Sequence, residues 1–272
     1  MEPVSTYGIA QASPSWTSDA GRLVEELSVR GVGIIESVLS PDEVAELSNR
    51  LDAVYRRQCD EVGGEDVLRQ IGDEDIVRCP LAYDDAFLAL AQHPSIVDTA
   101  KAVVGGSVVL MMQNGILNRP DKRQAQASWH RDLNYQHWVA DSALAISALV
   151  CLEEFNSETG GTVCLPGSHK TGRFPSDDFV RRHEVTIDAP SGSVIFMNAM
   201  VFHRTGINSS RRVRRAVNHV IGVPILSQPI DIPAMLRRPT PGDSWLAGYL
   251  GYRWNPKRDV REWRLSKLSA TS

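Results

Sequence analysis

The segment Ser128-Trp129-His130-Arg131-Asp132 puts an imidazole and a carboxylate two residues apart, and a second imidazole, His203, follows far downstream. Alternate residues of an extended chain point to one face. His130 and Asp132 can therefore converge on one ion from a strand and its exit, with His203 closing the triangle from a distant strand. Two imidazoles and one carboxylate occupy one face of an octahedron and leave the opposite face open, the arrangement of non-haem iron(II) sites that handle dioxygen. Zinc prefers a closed tetrahedron or a single open position. A lone His-x-Asp pair serves a turn or a core hydrogen bond as readily as it binds metal, so the weight rests on the residues downstream.

From His203 the chain reads His203-Arg204-Thr205-Gly206-Ile207-Asn208-Ser209-Ser210, then Arg211-Arg212-Val213-Arg214-Arg215-Ala216. With Trp129-His130-Arg131-Asp132 and the run Gly160-Gly161-Thr162-Val163-Cys164-Leu165-Pro166-Gly167-Ser168-His169-Lys170, this resembles the phytanoyl-CoA dioxygenase family of iron(II)/2-oxoglutarate oxygenases. The resemblance spans roughly residues 108 to 223 and is weaker in the N-terminal part. It implies iron(II) held by His130, Asp132 and His203, with 2-oxoglutarate and dioxygen as cosubstrates and succinate and carbon dioxide as by-products. It also implies that Arg214 grips the far carboxylate of 2-oxoglutarate, and that the fold is a double-stranded β-helix. Asp132 argues against halide transfer, because halide-transferring relatives vacate that position.

Local chemistry supports the same roles. In a strand over Val213 to Val223, Arg214, Ala216 and Asn218 share one face while Val213, Arg215, Val217, His219 and Ile221 share the other. A guanidinium offers paired donors in a fixed plane, which suits a carboxylate better than an ammonium does. Small Ala216 beside Arg214 leaves room for a ligand. Thr162 and Gln126 are further candidates for the cosubstrate pocket through their hydroxyl and amide donors, each with an ordinary strand role as the alternative. Asn118 stays open. His169 reads as a turn-capping residue, His137 as substrate-facing or in a surface or packing role, and His93, His183 and His219 as ordinary. Arg211 and Arg212 read as a solvated basic edge.

Composition bounds the rest. The chain has 272 residues, 42% of them hydrophobic, enough for one enzyme-sized β-rich domain over residues 1–272. Its 29 Lys+Arg against 33 Asp+Glu give a net charge of -4, so no basic field favours nucleic acid. No apolar run is long enough to span a bilayer, the first residues lack a signal-peptide pattern, and Cys59, Cys79, Cys151 and Cys164 form no close-spaced pair. The cytoplasm is the expected location. Oligomeric state is not legible.

The elements that must position the site divide into three stretches. Residues 1–106 read as mostly helical. A stripe through Leu23, Val24 and Leu27 stops at Gly31, a capping box at Ser40-Pro41-Asp42-Glu43 opens a helix through Val44, Leu47, Leu51, Val54 and Tyr55, and a third helical region over Asp84 to Val104 breaks at Pro94. Residues 107–224 read as a jelly-roll core. Its short strands are Val108 to Leu117, Ala143 to Leu152, Thr162 to Leu165, Glu184 to Ile187, Ser193 to Met197 and Val213 to Val223. Residues 225–272 form a C-terminal excursion, with five prolines from Pro224 to Pro241 marking an irregular path. The expected class is mainly β with flanking α, a cupin-like jelly roll on an N-terminal helical buttress.

The expected function is hydroxylation or oxidative cyclisation of a small molecule, with a glycoside or other secondary metabolite favoured over an acyl-CoA ester because no basic phosphate-binding loop stands out. A second oxidation or internal capture gives desaturation, ring closure or epimerisation instead. Trp129, Tyr135, Trp138 and Trp245 are candidate platforms for a sugar or polycyclic substrate. The alternatives are a cupin-like metalloenzyme independent of 2-oxoglutarate, an acyl-CoA or protein hydroxylase, and a non-catalytic binding module.

Overall fold

The computed structural model describes residues 7–8, 15–120, 122, 125–134, 136 and 138–268. Tyr135 and His137 lie outside the described residues. The first helix, α1 (Asp19–Val29), is capped by Ser18, whose side chain accepts from the backbone N–H of Gly21. It ends before Gly31, at φ +78°, where an added Cβ would meet the His169 ring and a Val201 methyl at 2.5 Å. Its stripe buries Leu23 and Leu27, whereas Val24 is exposed. The capping box forms: Ser40 Oγ accepts from the Glu43 N–H, and the Ser40 N–H donates to Glu43 Oε2 at 2.8 Å, opening α2 (Pro41–Val62). After α3 (Glu65–Gln70) come α4 (Asp85–Ala91) and α5 (Pro94–Val104), separated at Pro94.

Two short strands interrupt the part that the sequence predicts to be mostly helical, β1 (Val32–Ile35) and β2 (Ile76–Arg78). The rest are β3 (Val109–Asn118), β4 (Ala145–Cys151), β5 (Thr162–Cys164), β6 (Val185–Thr186), β7 (Val194–Asn198), β8 (His203–Thr205) and β9 (Arg214–Gly222). A six-stranded antiparallel sheet has the order β1-β7-β4-β9-β3-β2, so β1 and β2 form its two edges, and a three-stranded sheet has the order β6-β5-β8. Four-residue and three-residue runs are too short to carry a periodicity, which is why they are not legible as strands.

Strand parity sorts the core into two layers. Ile146, Ala148, Val150, Val217 and Ile221 face outward onto Leu23, Leu51, Phe87 and Ile96 of the helices. Leu149, Cys151, Ile195, Met197 and Ala216 face inward, packed with Phe155, Cys164 and Ile187 between the sheets. Each fully buried large apolar side chain contributes ~1.5–3 kcal/mol, so both faces of the large sheet are held. On β3 the register shifts between Leu110 and Met112, a bulge at Met111. The proline-rich C-terminal stretch is not wholly irregular, since it carries a short helix, Ile232–Leu236, capped by Asp231. Among the described residues no helix is long and apolar enough to cross a membrane.

Candidate active site

The triad assembles between the sheets. His130 lies on an isolated antiparallel bridge to His203, with backbone hydrogen bonds in both directions at 2.9 and 3.0 Å, and His203 opens β8 opposite Cys164 of β5. The chain then turns so that the Asp132 N–H donates to Ala199 O at 3.1 Å. One ligand atom from each of His130, Asp132 and His203 lies within 4.8 Å of the others, close enough for the three to hold one metal ion.

The orientation of each donor is fixed from behind. His130 Nδ1 sits 2.8 Å from Ser128 O and His203 Nδ1 3.0 Å from Val201 O, so in each ring the hydrogen resides on Nδ1 and Nε2 keeps its lone pair. Burial, and next the neighbouring His203, hold the His130 imidazole below its ordinary pKa, which favours the neutral form that binds metal. The Ser147 hydroxyl, on the inward face of β4, donates to Asp132 Oδ2, while Asp132 Oδ1 lies 3.7 Å from His203 Nε2.

Arg131, between the two ligands, points the other way and clamps their segment. Buried, it donates to the carbonyls of Met200 (2.8 Å), Ser168 (3.1 Å), Gly172 (3.3 Å) and Thr171, and lies 3.7 Å above the Phe202 ring. Four carbonyl dipoles and an aromatic face replace water around the charge. This ties the Pro-Gly-Ser-His turn to the segment that carries the ligands. His169 in that turn accordingly has a structural part, with Nε2 3.1 Å from Ser28 O at the end of α1.

The arginine run divides by parity. Arg215, outward on β9, pairs with both carboxylate oxygens of Asp52 on α2 at 2.8 Å and with Glu153 at 3.0 Å. Arg214, inward and 2% exposed, makes no ion pair among the described residues, and its Nε has no hydrogen-bond partner. Its guanidinium lies 4.2 Å above the Phe155 ring, and burial pushes its pKa down to about 10. A buried unpaired cation is costly, and interiors rarely leave one without a counter-ion. This residue fits a small dianion that brings a carboxylate.

The path from the His130, Asp132 and His203 cluster to Arg214 is continuous. Thr162 opposes Thr205 on the same inward face as Cys164 and His203. Gly206 follows, and its carbonyl, with that of Gly160, accepts from Asn118 Nδ2 at 3.0 and 3.2 Å, while Asn118 is the β3 partner of Arg214. Asn208 donates to Asn118 O and Arg212 O, folding the loop that delivers Arg214. Gln126 sits half-buried in the one-turn helix Ala125–Ala127 beside β8 and makes no side-chain hydrogen bond among the described residues. Trp245 is not brought to the site: it stacks on Tyr249 at 5.1 Å against the helical layer. His219 is on the outward face, between Gln113 and Ala148 O. Ser147 and Arg131 escape sequence reasoning, although a lone polar residue in Ala-Ile-Ser-Ala-Leu-Val-Cys was a usable signal for the first.

The sequence profile of the phytanoyl-CoA dioxygenase (PhyH) family matches residues 28–216. The chain belongs to that family. Membership makes it a dioxygenase of the iron(II) and 2-oxoglutarate class. An uncharacterized protein of Mycobacterium tuberculosis is 25% identical over 214 residues, 76% of this chain and 77% of the relative. The structure of EctD from S. alaskensis with 2-oxoglutarate and 5-hydroxyectoine aligns with a TM-score of 0.64 at 22% identity, over 87% of this chain and 89% of that one. The epimerase SnoN with Fe3+, alpha ketoglutarate and nogalamycin RO aligns with a TM-score of 0.59 at 22% identity, over 89% and 96% of the two chains. At this identity the two alignments show a shared PhyH-type fold.

Proposed function

We propose that this PhyH family member oxidises a small molecule, either a glycoside or another secondary metabolite, at an iron held by His130, Asp132 and His203. Arg214 grips the distal carboxylate of 2-oxoglutarate, and Thr162 and Gln126 contribute to the same pocket. The observation that carries the reading is the pairing of a converged His-Asp-His set with a wholly buried arginine that has no ion-pair partner among the described residues. A binding module has no use for both. The two sheets with their helical layer form a single oxygenase domain of the double-stranded β-helix type, with the N-terminal helices as its buttress. Four free cysteines suit a reducing compartment such as the cytoplasm.

Bound iron(II) with 2-oxoglutarate and dioxygen supplies a two-electron oxidant, with succinate and carbon dioxide leaving. The protein's part is placement. His130 and His203 present Nε2 toward a shared point, their Nδ1 hydrogens locked on carbonyls, and Ser147 holds one Asp132 oxygen so that the other turns inward. Arg214 fixes the cosubstrate by its far end, and the apolar inter-sheet packing keeps bulk water out.

Anaerobic titration with iron(II) and 2-oxoglutarate, followed by the visible charge-transfer band, tests this reading. The band should vanish in His203→Ala and require far more 2-oxoglutarate in Arg214→Ala. Iron bound without any band would sink the 2-oxoglutarate reading and favour a cupin-like metalloenzyme.

A further inference from the structure

A cavity of about 510 Å3 opens directly beside Asp132. Its walls include Met112, Leu133, Trp138, Leu144, Val220 and Leu226, and among its described lining residues the only charged side chain is Asp132 itself. The inward face of β9 runs from Arg214 through Ala216 and Asn218 to Val220, and Val220 pairs with Ser147, the residue bonded to Asp132. The cavity therefore lies at the end of the interior away from Arg214, so a cosubstrate anchored there leaves it free.

Two large apolar side chains of this cavity are exposed: Trp138 at 61% and Ile225 at 82%. They come from separate segments. The Trp138 segment is pinned by Gln136, buried, whose amide donates to Trp138 O at 2.9 Å. The Ile225 segment is turned by the Leu226 N–H donating to Val223 O. Exposed apolar residues gathered at a pocket mouth mark a surface that a ligand covers. Asn134, Gln136 and Ser227 supply the polar groups, none of them cationic.

We infer that this cavity is the substrate pocket and takes a neutral, largely apolar ring system, gripped between Trp138 and Ile225, with any sugar left at the mouth. The assignment rests on the metal reading above for the identity of the reacting end. A phosphate- or carboxylate-bearing group finds no counter-ion among the described residues of these walls, whereas a ring system gains from burying both itself and the exposed Trp138.

Titration with prodan, a neutral naphthalene probe, tests the pocket without turnover. Saturable binding is expected, weakened about tenfold or more in Trp138→Ala and in Leu226→Gln. Coenzyme A at equal concentration should not displace the probe. Mn(II) added as a stand-in ion should broaden the bound probe's proton resonances in the wild type but not in His203→Ala. Absence of saturable binding, binding indifferent to both substitutions, or displacement by coenzyme A would each overturn the inference even where Mn(II) is taken up normally. Probe binding that follows the cavity substitutions with no Mn(II) uptake upholds the pocket and overturns the metal reading.

Discussion

Ser147 and Asp132 are 15 residues apart in sequence and joined by a hydrogen bond, the hydroxyl donating to Oδ2 so that Oδ1 turns toward His203. Ser147 is wholly buried in an otherwise apolar strand. Partners behind a ligand commonly set metal affinity by about 10–100-fold. Ser147→Ala should therefore weaken metal binding by about tenfold, read by competition with a chromophoric chelator, while the unliganded fold stays close to wild-type stability. Unchanged affinity would remove Ser147 from the site.

Arg214 should trade stability for binding. Arg214→Met relieves a buried cation of its desolvation and loses the contact with Phe155 and the attraction to Glu153. Without ligands its midpoint should rise by roughly 2–4 °C, corresponding to about 1 kcal/mol in a chain of this size. With Mn(II) saturating in both proteins, 2-oxoglutarate at 100 times the wild-type Kd should add about 2.7 kcal/mol to the wild type and far less to the variant. A lower unliganded midpoint in the variant would show that the guanidinium is already well satisfied.

Arg131 should behave as a clamp. Arg131→Met strips four carbonyls of a charged donor, and a loss of about 2–3 kcal/mol in urea unfolding is expected together with weaker metal binding. Arg131→Lys keeps the charge but cannot span carbonyls on both sides, and should fall between the two. Metal affinity untouched by either change would separate the clamp from the site.

His219 gives the fold an acid weakness. Burial pushes its pKa down to about 4, while Gln113 and Ala148 O hold both ring nitrogens. In the unfolded chain it titrates near 6.5. Between these values the unfolded state binds a proton that the folded state refuses, so stability falls as pH drops from about 6.5 to about 4, by up to about 1.4 kcal/mol per unit. Glu153, whose carboxyl is raised by burial, acts in the opposite sense, so the measurement is the difference between wild type and His219→Gln in urea midpoints across that range. A constant difference would refute the assignment.

The sequence made the donors legible and left their supports hidden. His130, Asp132, His203 and Arg214 announce themselves by residue type and order, and strand alternation places Arg214 and Arg215 on opposite faces. Ser147 and Arg131 act only through neighbours brought in from other segments, such as Ala199, Met200 and the Ser168 turn, and no local pattern records those contacts. Helical periodicity counts Val24 into the α1 stripe although it is exposed, because periodicity reports an angle, not how far the neighbouring element extends. The edge strands β1 and β2 are defined by pairing with β7 and β3, a property of the partners rather than of their own four and three residues.

The bulge at Met111 makes the wall of the cavity beside Asp132 separately adjustable. Before it Val109 faces inward and Leu110 outward; after it Met112, Asn114, Ile116 and Asn118 face inward, and Met111 and Met112 both border the cavity. Met111 is the extra residue. Deleting it would leave Leu110 opposite Ile221, Met112 opposite Val220 and Asn118 opposite Arg214, so the pairing beside Arg214 survives while the cavity loses a thioether wall. Losing this one residue reshapes the cavity beside Asp132 without renegotiating the strand that aligns Arg214.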